Sequence, residues 1–201
     1  MLRLIAATAA ALLLAAPARA DVPPLAVDAS GTAFGVVPGT ESGVAFRLAE
    51  GRAPQFWTSP ALAQDADALT VPAVKPDGRG GAWLLVNQFA IAHVDAAGMM
   101  TKRIPQTAQW VAAPAVARNG DAVLAWTSQR HVVVRHLTAA GAFGPATVMP
   151  SRDVYAVALD PRTDDPWVLA RATTGLVLQT PGRTVPIRAP GRHTTSLHLN
   201  P

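Results

Sequence analysis

The sequence predicts an all-β protein, a β-propeller-like array of four four-stranded repeats plus one extra C-terminal strand. The main observation is a phrase that recurs four times: an Ala-Val pair, a turn rich in Gly and Asp, then a hydrophobic strand. The pairs begin at residues 26, 73, 115 and 156, so they lie 47, 42 and 41 residues apart. A period of about 40 residues made of short strands is typical of propeller blades. A second observation is that 18 prolines and 15 glycines interrupt the chain throughout, which disfavours helices.

The second repeat shows the four strands of one blade in order. Residues 71–74 form a first strand, which the turn Lys75-Pro76-Asp77-Gly78 ends. Residues 82–86 are continuously apolar, as expected of a strand buried on both faces. Residues 89–95 alternate in character and residues 100–104 complete the blade. The Ala-rich stretch 108–117 could also be read as a helix. The prolines around it leave too few residues for a helix, so we expect a strand there as well.

The chain divides into a signal peptide and one domain. Residues 1–20 contain a basic start, an apolar run too short to span a bilayer, and the small-x-small sequence Ala18-Arg19-Ala20. We therefore expect cleavage after Ala20 and a periplasmic or secreted protein. Residues 21–201 are expected to form a single β-propeller domain. Its parts are repeats at about 25–67, 68–110, 111–152 and 153–192, and an extra strand at 193–201. We expect that strand, centred on Thr195 to Asn200, to pair with the first or fourth blade of its own ring, giving a monomer.

Composition excludes several functional classes. Without Arg3 and Arg19 the chain has 15 basic and 13 acidic residues, and no run rich in Lys or Arg, so nothing predicts nucleic-acid binding. There is no cysteine, which excludes lipid attachment through a cysteine, thiol catalysis and cysteine metal sites. After residue 20 no stretch is apolar and long enough for a transmembrane helix, so no membrane association is expected once the signal peptide is removed.

The repeats resemble those of extracellular bacterial propeller proteins of unassigned function, and those of NHL and streptogramin-lyase-like propellers. The resemblance lies in segment 114–126, in the Gly-x-x-Trp strand Gly80-Gly81-Ala82-Trp83 and in the Asp-x-x-Gly turn Asp95-Ala96-Ala97-Gly98. It covers about residues 25–200 and implies a propeller fold. The lyases use a His and a Glu near the propeller axis. Glu41 and Glu50 are the only glutamates here and neither fits that pattern, so the resemblance does not extend to lyase chemistry.

The histidines are the first candidates for a metal site. His93 and His136 each lie five residues before a hairpin glycine and so share one blade position. The same count places Phe46 and Val177 there in the first and fourth repeats, which indicates a packing position. No cofactor and no metal site is therefore expected.

The tryptophans favour packing as well. Trp83 and Trp167 share a blade position with Phe34 and Val123, which indicates core. Trp57, Trp110 and Trp126 lie near blade connections, where packing between blades is favoured over a binding platform.

The best candidate binding region follows from propeller topology. Turns between second and third strands, together with connections between blades, gather on one face, and loops on a rigid scaffold carry function more often than the scaffold does. The candidate ligand-binding residues on this face are Gln88, Trp110, Arg130, Arg152 and Arg171.

The arginines in this set suit a small anionic ligand or an acidic patch on a protein partner. No catalytic constellation is evident, so the sequence favours an exported binding or scaffold protein over an enzyme. A periplasmic lyase or hydrolase using polar groups of the same face, and a truncated propeller without independent activity, remain the alternatives.

Overall fold

The computed structural model describes residues 24–63, 73–105 and 107–187. These residues form four antiparallel sheets, each ordered as consecutive strands, and the only helical element among them is one short 3₁₀ turn, Pro60–Leu62. The all-β prediction and the four-stranded repeats are therefore confirmed. The expected signal peptide and the extra strand at 193–201 lie outside the described residues.

We call the four sheets blades 1 to 4. Blade 1 consists of β1 (Leu25–Val27), β2 (Ala33–Val37), β3 (Gly43–Leu48) and β4 (Gln55–Ser59). Blade 2 consists of β5 (Ala73–Pro76), β6 (Ala82–Leu85), β7 (Ala90–Val94) and β8 (Met99–Arg103). Blade 3 consists of β9 (Ala108–Val111), β10 (Ala115–Val116), β11 (Ala122–Ser128), β12 (His131–Leu137) and β13 (Thr147–Met149). Blade 4 consists of β14 (Asp153–Leu159), β15 (Pro166–Ala172), β16 (Gly175–Thr180) and β17 (Arg183–Pro186).

The recurring phrase is the first hairpin of each blade. Every Ala-Val pair lies on the first strand, and the strand that follows the Gly- or Asp-rich turn is its antiparallel neighbour. The turn glycines Gly31, Gly80 and Gly120 have φ of 80°, 87° and 82°. A residue with a side chain is disfavoured at such φ, which explains why glycine recurs there. In blade 4 the corresponding turn holds Asp164, with φ of 60°.

The Ala-rich stretch 108–117 is strand and not helix. Both β9 and β10 pair with β11, and the Ala112 N–H donates to the Ala125 carbonyl between them. Pro114 has no N–H to donate, so it divides one long first strand into two pieces.

Three hydrophobic cores hold the blades together, one between each consecutive pair. Blade 1 packs on blade 2 around Phe34 and Leu84, blade 2 on blade 3 around Trp83 and Leu124, and blade 3 on blade 4 around Val134. Trp57 packs against the first core, Trp126 lies in the second and Trp110 packs against the third, which confirms their predicted inter-blade role. Within the described ranges no core joins blade 4 to blade 1.

The strand register confirms that Phe34, Trp83, Val123 and Trp167 share one position, because each follows the first residue of its second strand. Each points toward the next blade. Trp83 is fully buried and its Nε1 donates to the Gly120 carbonyl of blade 3 at 2.9 Å. Trp167 is only partly buried. The expectation that it is a core residue is therefore wrong, because no described blade covers its side of blade 4.

Candidate functional site

A pocket of about 380 Å³ lies between blades 3 and 4 and contains three of the five candidate residues. Its walls come from the β11–β12 turn, the β13–β14 connection and the end of β15 with the turn after it. The residues lining it are Gln129, Arg130, Arg152, Asp153, Arg171, Ala172 and Thr173. Turns and blade connections thus meet at one place, as the topology of the repeats leads one to expect.

The backbone fixes where the three arginines emerge. Ser128 pairs with His131, so Gln129 and Arg130 form a two-residue hairpin loop, and Gln129 takes a φ of 55°. A hairpin this tight needs a left-handed residue, which costs a non-glycine residue about 1 kcal/mol. The Arg152 N–H donates to the Arg171 carbonyl at 2.7 Å, which places these two residues side by side.

A buried hydrogen-bond chain supports the connection that carries Arg152. Ser151 is buried, and its Oγ donates to Gln179 Oε1 at 2.7 Å. Gln179 Nε2 in turn donates to Thr184 Oγ1, which ties the connection to the outer strands of blade 4. The Val154 N–H donates to Thr127 Oγ1 of blade 3. The pocket floor is therefore held from both blades.

The pocket is electropositive. Arg130, Arg152 and Arg171 are all exposed, and Asp153 is the one carboxylate in the lining. Across the described part of the chain Arg118 forms an ion pair with Asp164 and His93 contacts Asp77, and neither contact involves these arginines or Asp153. Guanidinium groups present planar, paired donors that match carboxylate, phosphate and sulfate oxygens. Chemically, the arrangement can hold a small anion.

The other two candidate residues lie elsewhere. Gln88 occupies the β6–β7 turn of blade 2 and Trp110 lies on β9, opposite Thr127. Neither lines the arginine pocket. A second cavity of about 410 Å³ opens beside the β6–β7 turn, between Pro60, Phe89 and Arg103, and it carries a single charged side chain.

The histidine position needs a correction. His93 pairs with Trp83 and His136 with Val123, so these two histidines do share a blade position. The matching residues in blades 1 and 4 are Arg47, which pairs with Phe34, and Thr180, one step beyond the Val168–Gln179 pair. They are not Phe46 and Val177. Counting back from the hairpin glycine fails because the loops between third and fourth strands differ in length. The position is polar in every blade, so the argument from apolar neighbours does not hold.

The structure shows instead how His93 is used. His93 Nε2 lies 2.8 Å from Asp77 Oδ2, and its ring lies against Trp83 with centroids 4.7 Å apart. Burial raises the pKa of Asp77, but the hydrogen bond from His93 and those from the Arg79 and Gly81 N–H groups outweigh it and hold the pKa below its usual value. Both side chains are buried beneath the first hairpin turn, so they fix that turn and the Trp83 ring.

A groove of about 400 Å³ runs along the first strands of blades 2 to 4. Small apolar residues form most of its lining, with Lys75 and Tyr155 as the polar members. No group of three His, Cys, Asp or Glu side chains comes together in the ranges 24–63, 73–105 and 107–187. In those same ranges, no helix has the length and apolar character that crossing a membrane requires.

The fold defines the class of protein, an array of β-propeller blades. No protein-family model matches the chain. No curated protein matches it either.

Solved structures do match. Virginiamycin B lyase from Staphylococcus aureus aligns with a TM-score of 0.55 at 13% identity, covering 83% of this chain and 55% of the lyase. A streptogramin B lyase structure aligns with a TM-score of 0.56 at 10% identity, covering 87% of this chain and 58% of that one. A functionally unknown protein from Desulfotomaculum acetoxidans aligns with a TM-score of 0.49.

The chain thus spans little more than half the length of the lyases it matches. At these identities the likeness establishes the propeller fold, in agreement with the resemblance seen in the repeats.

Proposed function

We propose that this protein is an exported, non-catalytic β-propeller that binds a small anionic ligand in the pocket between blades 3 and 4. The observation that carries the proposal is the convergence of Arg130, Arg152 and Arg171, from three separate segments, on one pocket. A concave site of about 380 Å³ suits a small molecule better than a flat protein surface. An acidic patch of a protein partner is the second occupant that this charge would suit.

Anion binding can be tested by isothermal titration of residues 21–201 with sodium phosphate and with sodium sulfate at low ionic strength. Replacing Arg130, Arg152 or Arg171 by alanine should each weaken binding about 10-fold or more, because a hydrogen bond to a charged group contributes about 1.5–3 kcal/mol. Arg162→Ala is the matched control, since Arg162 is exposed in the β14–β15 turn, at the other end of blade 4. Equal affinities for all four variants would contradict the proposal.

Recovery of the bound ligand after incubation addresses the enzymatic alternatives, which the titration with phosphate and sulfate does not test. A lyase or hydrolase would convert an added substrate, whereas a binding protein returns its ligand unchanged. An acidic protein partner would leave the pocket variants defective in capturing an acidic peptide while phosphate binding stays undetectable. A truncated propeller without independent activity would show neither effect.

Export is proposed on the basis of residues 1–20 alone. Mass spectrometry of the protein from the producing cell should show Asp21 as the first residue. Soluble protein that retains Met1 would contradict both cleavage and the periplasmic or secreted location.

A further inference from the structure

The arginine pocket contains a carboxylate as well as three guanidinium groups, and this carboxylate restricts which anions the pocket suits. Asp153 pairs directly with Arg171 across β14 and β15. Even so, among the described residues it forms an ion pair with no arginine, lysine or histidine. Asp153 is half-buried, whereas Arg171 is exposed. The carboxylate oxygens of Asp153 therefore remain available to accept hydrogen bonds from a bound molecule.

An anion that has only bare oxygens is a poor match for this carboxylate. Like charges repel, and the repulsion is screened less in a partly buried site than between exposed groups. A ligand that carries hydroxyl groups beside its anionic group relieves the repulsion. Its hydroxyls can donate to Asp153 while its anionic oxygens accept from the guanidinium groups. The pocket is thus suited to an anion that also carries hydrogen-bond donors.

Two neutral polar side chains in the lining extend the same pattern. Gln129 is the first residue of the β11–β12 hairpin loop and Thr173 is the first residue of the β15–β16 loop, so they occupy equivalent places on neighbouring blades. Both are exposed and both line the pocket. An amide and a hydroxyl each provide a donor and an acceptor. Together with Asp153, they give the pocket three side chains that can hydrogen-bond to hydroxyl groups.

The lining has few apolar groups. Of the seven residues that form it, Ala172 alone has an apolar side chain. Small-molecule sites are usually lined by hydrophobic and aromatic side chains, with a small number of polar groups among them. A site that reverses this proportion favours a ligand that is hydrophilic over most of its surface. Aromatic and fatty acids are therefore disfavoured.

The net charge of the lining indicates the kind of anionic group. Three guanidinium groups and one carboxylate leave a net charge of +2. A phosphate monoester carries about −1.5 to −2 at pH 7 and has three strong acceptor oxygens. A carboxylate or a sulfate ester carries a single negative charge, and a zwitterion has no net charge. Among these groups a phosphate monoester neutralises the pocket most completely.

We propose that the ligand of the arginine pocket is a small phosphate monoester with hydroxyl groups on its carbon skeleton. The phosphate oxygens accept from the three arginines, and a hydroxyl donates to Asp153. The volume of about 380 Å³ lies near the lower end of the range for ligand pockets, which suits a molecule of a few carbon atoms. This inference rests on the proposed anion-binding function and adds the chemical class of the anion.

Isothermal titration of residues 21–201 with two matched esters tests the need for hydroxyl groups. Glycerol 3-phosphate and propyl phosphate both carry a phosphate on three carbons, but only the first has free hydroxyls. Glycerol 3-phosphate should bind about 10-fold more tightly, as expected for one added hydrogen bond to a charged group. Glycerate, which has hydroxyls but a carboxylate in place of the phosphate, should bind more weakly than glycerol 3-phosphate. Equal affinities for the two esters, or tighter binding of glycerate, would overturn the proposal.

Asp153→Ala tests the assigned hydroxyl partner. Without the carboxylate, propyl phosphate should bind more tightly because the repulsion is gone, and the preference for glycerol 3-phosphate should fall to within about 2-fold. Glu50→Ala is the matched control, since it removes one negative charge from an exposed position on blade 1 and should leave the preference unchanged. Circular dichroism verifies folding, and Asp153→Asn is the substitute if Asp153→Ala does not fold. A preference that survives loss of the Asp153 charge in full would contradict the assignment.

The arginine variants separate a failure here from a failure of the anion site. If the wild-type protein binds neither phosphate nor the esters, or if alanine at Arg130, Arg152 or Arg171 leaves binding unchanged, the proposed function fails and this inference fails with it. Phosphate binding that depends on the arginines, without a preference between the two esters, would contradict this inference alone.

Discussion

Trp83 joins blade 2 to blade 3, and its replacement by alanine should be among the most damaging single changes in the chain. The side chain is fully buried, and truncating a buried Trp costs about 3–5 kcal/mol. The Gly120 carbonyl also loses its donor, which adds about 1 kcal/mol. Domains of this size are stable by only about 5–15 kcal/mol, so the Trp83→Ala protein should be marginal or unfolded.

Trp83→Phe gives a measurable version of the same test. Phenylalanine keeps most of the apolar volume but removes the N–H, so the free energy of unfolding should fall by about 1–2 kcal/mol. That corresponds to a Tm lower by about 2–8 °C for a domain of this length. Urea denaturation followed by circular dichroism measures the change.

Phe89→Ala is the matched control for the Trp83 variants, because Phe89 belongs to the same blade and is 51% exposed. It should cost less than about 1 kcal/mol. If Trp83→Ala and Phe89→Ala destabilise the protein equally, stability does not reside in the cores between blades and the reasoning fails.

Three further changes test other parts of the structure. Because hydrogen bonds lower the pKa of Asp77 in the folded protein, its stabilising contribution is present above the unfolded value of about 3.9 and is lost as pH falls through the folded pKa. Asp77→Asn should therefore reduce the loss of Tm between pH 5 and pH 3, by calorimetry, whereas an unchanged acid profile would remove Asp77 from this role. Gly35→Ala should destabilise by about 1–3 kcal/mol in urea, because an added Cβ would overlap the ring of Phe46; a neutral result would mean that the ring moves away freely. Gly120→Ala should cost more than Gly31→Ala, since both glycines have positive φ but only Gly120 also meets the Arg79 side chain; equal costs in urea denaturation would contradict the difference between the two turns.

The sequence predicted the blades well because their signals are local. The Ala-Val pair, the turn glycine and the apolar second strand fall within about ten residues, and a positive φ at Gly31, Gly80 and Gly120 makes the residue type at that place nearly obligatory. Pro114 likewise removes the helical alternative for the stretch before it. Features set by a short range of backbone geometry are visible in a single sequence.

Other features were hidden because they depend on alignment between strands or between blades. The partner of His93 is Asp77, 16 residues earlier and across two strands, and no motif marks the pair. The fourth-blade counterpart of His93 was misplaced because its hairpin loop is shorter than that of blade 2. Trp167 has the local signature of a core residue, and only the absence of a covering blade in the described structure shows that it is not one.

The arrangement of the three pocket arginines could be predicted from the sequence only in part. Topology indicated that Arg130, Arg152 and Arg171 share a face, but the packing of blade 4 on blade 3 through the third core brings them to one pocket. Gln88 lies on blade 2 and is not part of that pocket.

Anomalous diffraction from crystals soaked in sodium selenate tests the anion-binding claim most directly, because selenium marks the position of a bound tetrahedral anion. We expect a peak within hydrogen-bonding distance of the Arg130, Arg152 and Arg171 guanidinium groups, and we expect it to be absent from crystals of the Arg152→Ala protein. An empty arginine pocket, with selenium only beside Lys75 in the groove along the first strands or at contacts between molecules, would contradict it.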